Sequence, residues 1–357
     1  MKNLGSISDP TFIPKDKYSS IDRFFLKLIR DERDLPFIHL TIKIMLTLLP
    51  LGIAIYFVDG WLFAALSVVY LYINNFVFKG SFGLMLHCTS HRKWFKKEYE
   101  KGNLLLPWLV GPFFGQSPET YASHHIHMHH AENNLEEDLS STMFYQRDSL
   151  KDFMKYFSHF LFNVLRELIQ YFTFKKRPKL VKKVKIGEIG FMVFCIAMCF
   201  VNWKATLVVF VIPLLISRFV MMLGNFAQHA FVDPYDPGNS YKNSITCINT
   251  KYNHKCWNDG YHISHHKKPS MHWTEHPKYF LKTIDEYYQN NALIFDGIDF
   301  LKVWIYLMRK DYKSLAANTV NLNNRFASEE EVIEMMKIRT RKFPKGYSSK
   351  EVVSKVS

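Results

Sequence analysis

The sequence predicts an all-α integral membrane protein, with four transmembrane helices in two hairpins and a cytoplasmic helical cap. Three observations carry this. Four apolar blocks punctuate the 357-residue chain. They pair across very short connections, and basic residues gather on the other side of each pair. The mean hydropathy of −0.11 resembles that of a soluble protein only because apolar blocks and basic tracts cancel. With 48% hydrophobic and 16% aromatic residues the chain is too apolar to be disordered. Its 15 Gly and 14 Pro exclude collagen-like and low-complexity classes.

The elements follow in order. Residues 1–43 are a charged N-terminal segment, so no cleavable signal peptide is expected ahead of the first apolar run. Block one, Ile44 to Val58, carries no charge and is broken once, by Pro50. Block two, Trp61 to Phe78, is also uncharged and follows across Asp59-Gly60. Ile189 to Trp203 and Ala205 to Gln228 are the third and fourth, joined by Lys204, with Arg218 the one interruption. A span needs about 20 mainly apolar residues. The first and third blocks reach this through sparsely charged flanks. The bland alternative is a set of buried helices in a large soluble core.

Lys15, Lys17, Arg23, Lys27, Arg30 and Arg33 precede block one, Arg92 to Lys101 follow block two, and a tract from Lys175 to Lys185 precedes block three. The positive-inside rule then puts both termini and every long segment in the cytoplasm of a multi-pass protein, in the endoplasmic reticulum or a bacterial inner membrane. Topology and anionic lipid explain the net charge of +14, and no nucleic-acid partner is expected. Leu104 to Gly115 is apolar but too short to span, and reads as a re-entrant or interfacial element. Tyr156 to Phe174 suits an amphipathic helix on the membrane surface. Ser328 caps a final helix running to Arg341. The domain plan is residues 1–43, a membrane domain over 44–276, and a helical C-terminal region over 277–357. The five Cys are odd in number and form no CxxC pair, which argues against disulfides and zinc ribbons.

Of 16 His, eleven fall in four windows: His87 with His91; His124, His125, His127, His129 and His130; His229 four residues after Asn225; and His262, His265 and His266. Residues at i, i+3 and i+4 share a helix face. Each window therefore aims imidazoles one way, and Asn258 or Asp259 is placed to cap the last. Lone residues such as His39 and His159 read as ordinary surface or core histidines. Neutral imidazole suits Zn, Cu, Fe and Ni. Eight or nine convergent rings exceed what one ion takes, so two metals are expected, at one membrane face.

HxxxH, an HH-rich second box and HxxHH together resemble the three-histidine-box membrane fatty-acid desaturases and their hydroxylase relatives, over roughly Ile44 to His276. The resemblance implies a membrane desaturase that introduces a double bond into the acyl chain of a lipid or acyl thioester. It implies two Fe²⁺ ions, O2 as co-substrate, and a separate electron carrier, a ferredoxin or small haem cytochrome with its reductase. It also implies metal ligation by His87, His91, His125, His129, His130, His229, His262, His265 and His266, with Asn225 acting through a water. Asp138 lies where that family has an acidic residue orienting a ligand imidazole. His124, His127 and Asp259 are further candidates beside the ligands. The second box departs from the usual HxxHH: Ile126 occupies its first position, and His125 gives Hx3HH, as in alkane hydroxylases. The alternatives are a di-iron hydroxylase and, in another class, a zinc membrane hydrolase. Tyr72, Asn74 and Asn75, on the helix leading to His87, are candidates for lining a substrate tunnel, the two amides alternatively making helix–helix hydrogen bonds.

Overall fold

The computed structural model describes residues 1–344, 346 and 347. It is mostly helical. Contacts divide the chain into two compact units: Met1–Thr11, His127–Val164 and Val220–Ser357 form one, and Phe12–Ile126 with Leu165–Phe219 the other.

The second of these holds most of the apolar helical residues, with Val220–Gln228 in the first. Among the described residues, three helical stretches are long and apolar enough to cross a membrane: Glu32–Phe57, Gly60–His91 and Pro178–Gln228. The first two turn at Asp59-Gly60, where Gly60 takes φ +58°, a left-handed conformation that costs glycine little. The third stretch has 51 residues. Straight, it would run about 76 Å at 1.5 Å per residue. It does not run straight. Asn202 leaves helical geometry at φ −160°, ψ 101°, and its side chain accepts from the amide of Ala205 at 3.1 Å, capping the returning helix. Glu188 and Arg218, thirty residues apart, pair at 2.6 Å, and Phe194 meets Phe210 with ring centroids 5.0 Å apart. The stretch therefore folds back on itself, and the turn begins at Asn202 rather than at Lys204.

A π-helical segment, Ile73–Phe78, interrupts the Gly60–His91 stretch. It sets the fates of the three tunnel candidates. Asn74 is fully buried and donates to the Phe113 carbonyl at 2.8 Å, which Tyr70 also reaches at 3.0 Å. Asn75 donates back to the Leu71 carbonyl at 2.8 Å. Tyr72 is 60% exposed and stacks on Phe76. Two residues from inward-facing Asn74, it lies on the outer face of the helix. The short Leu104–Gly115 element is a π-helical turn, Leu105–Val110, then a 3-10 turn, Gly111–Phe114, closed by Gly115 at φ +73°. A Cβ at Gly115 would sit 2.1 Å from the Leu214 amide nitrogen. Only glycine permits that approach.

The other unit contains a feature the all-α expectation lacked. Ile245–Ile248 (β1) pairs in parallel with Leu293–Asp296 (β2). Both strands are four residues long, and β1 is buried throughout. So short an apolar run shows no period by which sequence could tell strand from helix. Apolar side chains from β1, β2 and the C-terminal helix share one core, including Cys247, Phe295, Val332 and Met336. That helix, Glu329–Arg339, starts as expected from Ser328, whose hydroxyl accepts from the Glu331 amide, and ends two residues before the expected Arg341.

Candidate metal centre

Each histidine window sits at the end of a helix or in a break between helices. His87 and His91 lie on the last turns of Lys79–His91. Window two starts in Thr120–His124, passes through a π-helical turn, His125–His129, and ends in His130–Glu132. His229 follows the end of Ile212–Gln228. Window four opens the helix His262–Lys267.

Four imidazoles meet within the first unit. His129, His229, His262 and His266 each place a ring nitrogen within 4.8 Å of the other three. The Nε2 atoms of His229 and His262 are 3.1 Å apart, and those of His262 and His266 3.0 Å. His229 is fully buried, and His129 and His262 are each 2% exposed. Two of the far nitrogens are held: His129 Nδ1 lies 2.7 Å from Asp138, and His229 Nδ1 lies 2.8 Å from the Asn243 carbonyl. A carbonyl accepts only, so His229 donates from Nδ1 and Nε2 keeps its lone pair. Burial, with His129 nearby, pushes the His229 pKa down to about 3. Burial and the surrounding rings push His266 down as well. These rings are neutral, the form that binds metal. Burial disfavours the Asp138 carboxylate, but His129 and Ser140 outweigh it and hold its pKa at about 2.

In the same unit His130 and His265 bring their Nε2 atoms to 2.9 Å. In the other unit His87, His91 and His125 form a triad, with His125 Nε2 3.1 Å from His91 Nε2 and the His87 and His125 rings 4.5 Å apart. The expectation that His125 and His129 act together across i, i+4 is thus corrected. The π-helical turn between them breaks the shared face, so His125 joins the triad and His129 the group of four.

The remaining candidates fall beside these groups. His124 and His127 belong to neither cluster. Asn225 donates its amide to the Ser140 carbonyl at 2.9 Å and the Tyr156 hydroxyl at 2.6 Å, leaving its own oxygen as an acceptor. Asp259 accepts from Tyr252 at 2.6 Å and Gln228 at 3.2 Å. Neither Asn258 nor Asp259 caps window four. Asn258 donates instead to the carbonyls of Pro10 and Trp273, and the N-cap position is Tyr261.

Carbonyl acceptors, neutral rings and one buried carboxylate make a donor set suited to a divalent ion that accepts imidazole. The profile of the family described as fatty acid desaturase matches residues 25–297, more than half of the chain. The chain belongs to the fatty acid desaturase family. Within it, the matched region contains all four histidine windows. Searches of curated proteins and of solved structures each found no match.

Several supports of this desaturase-family site carried no sequence signal. Asp9 is 5% exposed and accepts from the Tyr261 hydroxyl at 2.7 Å and the Asn249 amide at 2.7 Å. Tyr261 immediately precedes His262. Ser264, inside the window, meets His276 Nδ1 at 2.6 Å. Arg147 is fully buried and donates to the carbonyls of Ala230, Thr142, Met143, Tyr145, Arg339 and Arg341. Ala230 follows His229, whose own carbonyl accepts from Thr142 at 2.7 Å.

Proposed function

We propose that this protein is an O2-dependent membrane desaturase that introduces a double bond into the acyl chain of a lipid or acyl thioester, using two iron ions and an external electron carrier. The observation that carries the reading is the buried group of His129, His229, His262 and His266, in a chain of this family. On ligand chemistry, those four hold one ion. The second is assigned, by ligand count and the resemblance of the boxes, to His87, His91 and His125 with His130 and His265. Asn225 contributes through its free carbonyl oxygen.

Bound iron supplies the redox chemistry: two electrons from the carrier and two from a CH2–CH2 unit, with two protons from solvent, reduce O2 to two waters. The chain's own residues do the rest. Asp138 and the Asn243 carbonyl fix two imidazoles in the tautomer that leaves Nε2 for metal. Burial of the rings excludes bulk water from the oxidising step. The apolar helices give an acyl chain a medium it shares with the bilayer. We place the fold-back of Pro178–Gln228 as two spans, so that the chain crosses four times in two hairpins, with both termini and the histidine cap in the cytoplasm. The basic flanks support that orientation.

A hydroxylase is the second reading, favoured by the Hx3HH spacing that begins at His125. Metal analysis of protein purified from iron-supplemented cells tests the centre itself. Iron near two per chain is expected. Zinc with no iron, and activity unaffected by removing O2, would point to the hydrolase class.

A further inference from the structure

Tyr156 lies on the helix Leu150–Phe174 and is 2% exposed. Its ring meets those of Tyr145 and Phe226, each at 5.2 Å between centroids. A phenylalanine would keep both ring contacts, so packing does not account for the hydroxyl. That hydroxyl donates to the Ser140 carbonyl at 3.0 Å and accepts from the Asn225 amide at 2.6 Å. The same amide also donates to the Ser140 carbonyl, at 2.9 Å. The three groups close a triangle. A carbonyl accepts only, so the end of the Asn225 amide that meets it is the nitrogen, and the side-chain oxygen is turned the other way. Asn225 shares a helix face with His229, whose backbone amide donates to the Asn225 carbonyl at 3.1 Å.

Ser140, fully buried, joins this triangle to a ligand ring. Its amide and hydroxyl hold Asp138 at 2.8 and 2.7 Å, and Asp138 meets His129 at 2.7 Å. One residue thus fixes His129 through its amide and hydroxyl and Asn225 through its carbonyl.

We propose that Tyr156 is a positioning residue for the metal centre: its hydroxyl fixes which way the Asn225 amide faces and, through Ser140, ties Asn225 to the Asp138–His129 pair. The inference rests on the reading in which Asn225 gives its oxygen to the centre, and names the residue that presents that oxygen. The last torsion of an asparagine side chain is broad, so the amide has little preference of its own. Two bonds to its nitrogen remove that freedom, and a hydroxyl can donate to the carbonyl while accepting from the amide. Without it, Asn225 keeps one bond, to Ser140, and is free to tilt. Tyr156 acts on the centre only through Asn225, and that makes the effects of changing the two non-additive.

The test uses the full-length protein in detergent loaded with cobalt(II), whose visible absorption bands report the ligands around the ion. The variants are Tyr156→Phe, Asn225→Ala and the two together, with affinity measured by chelator competition and the melting temperature recorded for each. Tyr156→Phe is expected to shift the bands and weaken binding about tenfold or more, and Asn225→Ala to do at least as much. The double variant is expected to be no worse than Asn225→Ala alone. Asn225→Asp leaves the aromatic packing untouched. Its carboxylate is the stronger oxygen toward a metal but cannot donate to the Ser140 carbonyl, so affinity is expected to fall, and a gain would overturn the proposal. Native bands and affinity in Tyr156→Phe, beside an altered Asn225→Ala, overturn it and leave the reading of Asn225 standing. Native bands in Asn225→Ala, or an unmodified protein that takes up no cobalt, remove that reading and the proposal together. Losses that multiply in the double variant overturn it, because the residues then act separately. A lowered melting temperature with native bands makes Tyr156 a packing residue only. Metal binding needs no turnover, so a protein that hydroxylates answers the question equally well.

Discussion

Asp138 and His129 meet at 2.7 Å with both side chains buried, and this contact sets which nitrogen of His129 faces the other three imidazoles. Asp138 is further held by the Ser140 amide at 2.8 Å and the Ser140 hydroxyl at 2.7 Å, so the carboxylate is fixed before any metal arrives. Asp138→Ala is expected to weaken metal binding at this group by about 10- to 100-fold, as loss of an outer partner of a metal ligand does. Chelator competition on the purified protein measures it. Unchanged affinity would mean that another contact orients His129.

Arg147 predicts a stability effect rather than a metal effect. Its five N–H donors serve six carbonyls contributed by the loop after window two, Ala230 and the end of the C-terminal helix. Arg147→Ala strands buried acceptors at about 1–3 kcal/mol each. The melting temperature in detergent is expected to fall sharply. Arg147→Lys is expected to recover only part of the loss, because three ammonium donors cannot serve that set. If lysine restores full stability, the fork geometry is not what holds these segments.

His125 and His127 separate the two readings of the second window. His125 lies against His91 and His87, whereas His127 is in neither cluster. His125→Ala is expected to lower iron content and abolish activity, and His127→Ala and His124→Ala to leave most of both. An inactive, iron-poor His127→Ala beside an active His125→Ala would reverse the assignment.

Asp9 acts from a distance in sequence. Removing its carboxylate frees the Tyr261 hydroxyl and the Asn249 amide, and Tyr261 begins the helix of His262 and His266. Asp9→Ala is expected to loosen metal at the group of four and to leave the His87, His91 and His125 triad loaded. Iron per chain measured after mild chelation checks this, and full retention in Asp9→Ala would show that the N-terminal segment is not a brace.

The part of this protein legible in its sequence is the part written locally. HxxxH, NxxxH and HxxHH place rings one helical turn apart, and every ligand candidate now found in a cluster came from such a window. The uncharged runs marked the long helices, and Ser328 marked the last one. What was hidden is written across long separations or in departures from ideal helix geometry. Asp9 reaches Tyr261 over 252 residues, and Arg147 reaches Arg341 over 194. No local pattern records such pairs. The π-helical turn at His125–His129 changes which rings converge without changing a residue, and the one at Ile73–Phe78 accompanies an outward-facing Tyr72. The strands β1 and β2 are too short to show a period, and only their pairing defines them.

The most direct test of the account is the product itself. The protein is expressed in a host that lacks acyl desaturases, supplied with a saturated fatty acid labelled with deuterium along its chain, and the lipids are examined by mass spectrometry. The account predicts an acyl chain that has lost two hydrogens to a new double bond, formed only with O2 and absent in His262→Ala. A chain one oxygen heavier, with no double bond, from protein shown to carry iron, would contradict it and assign the centre to hydroxylation.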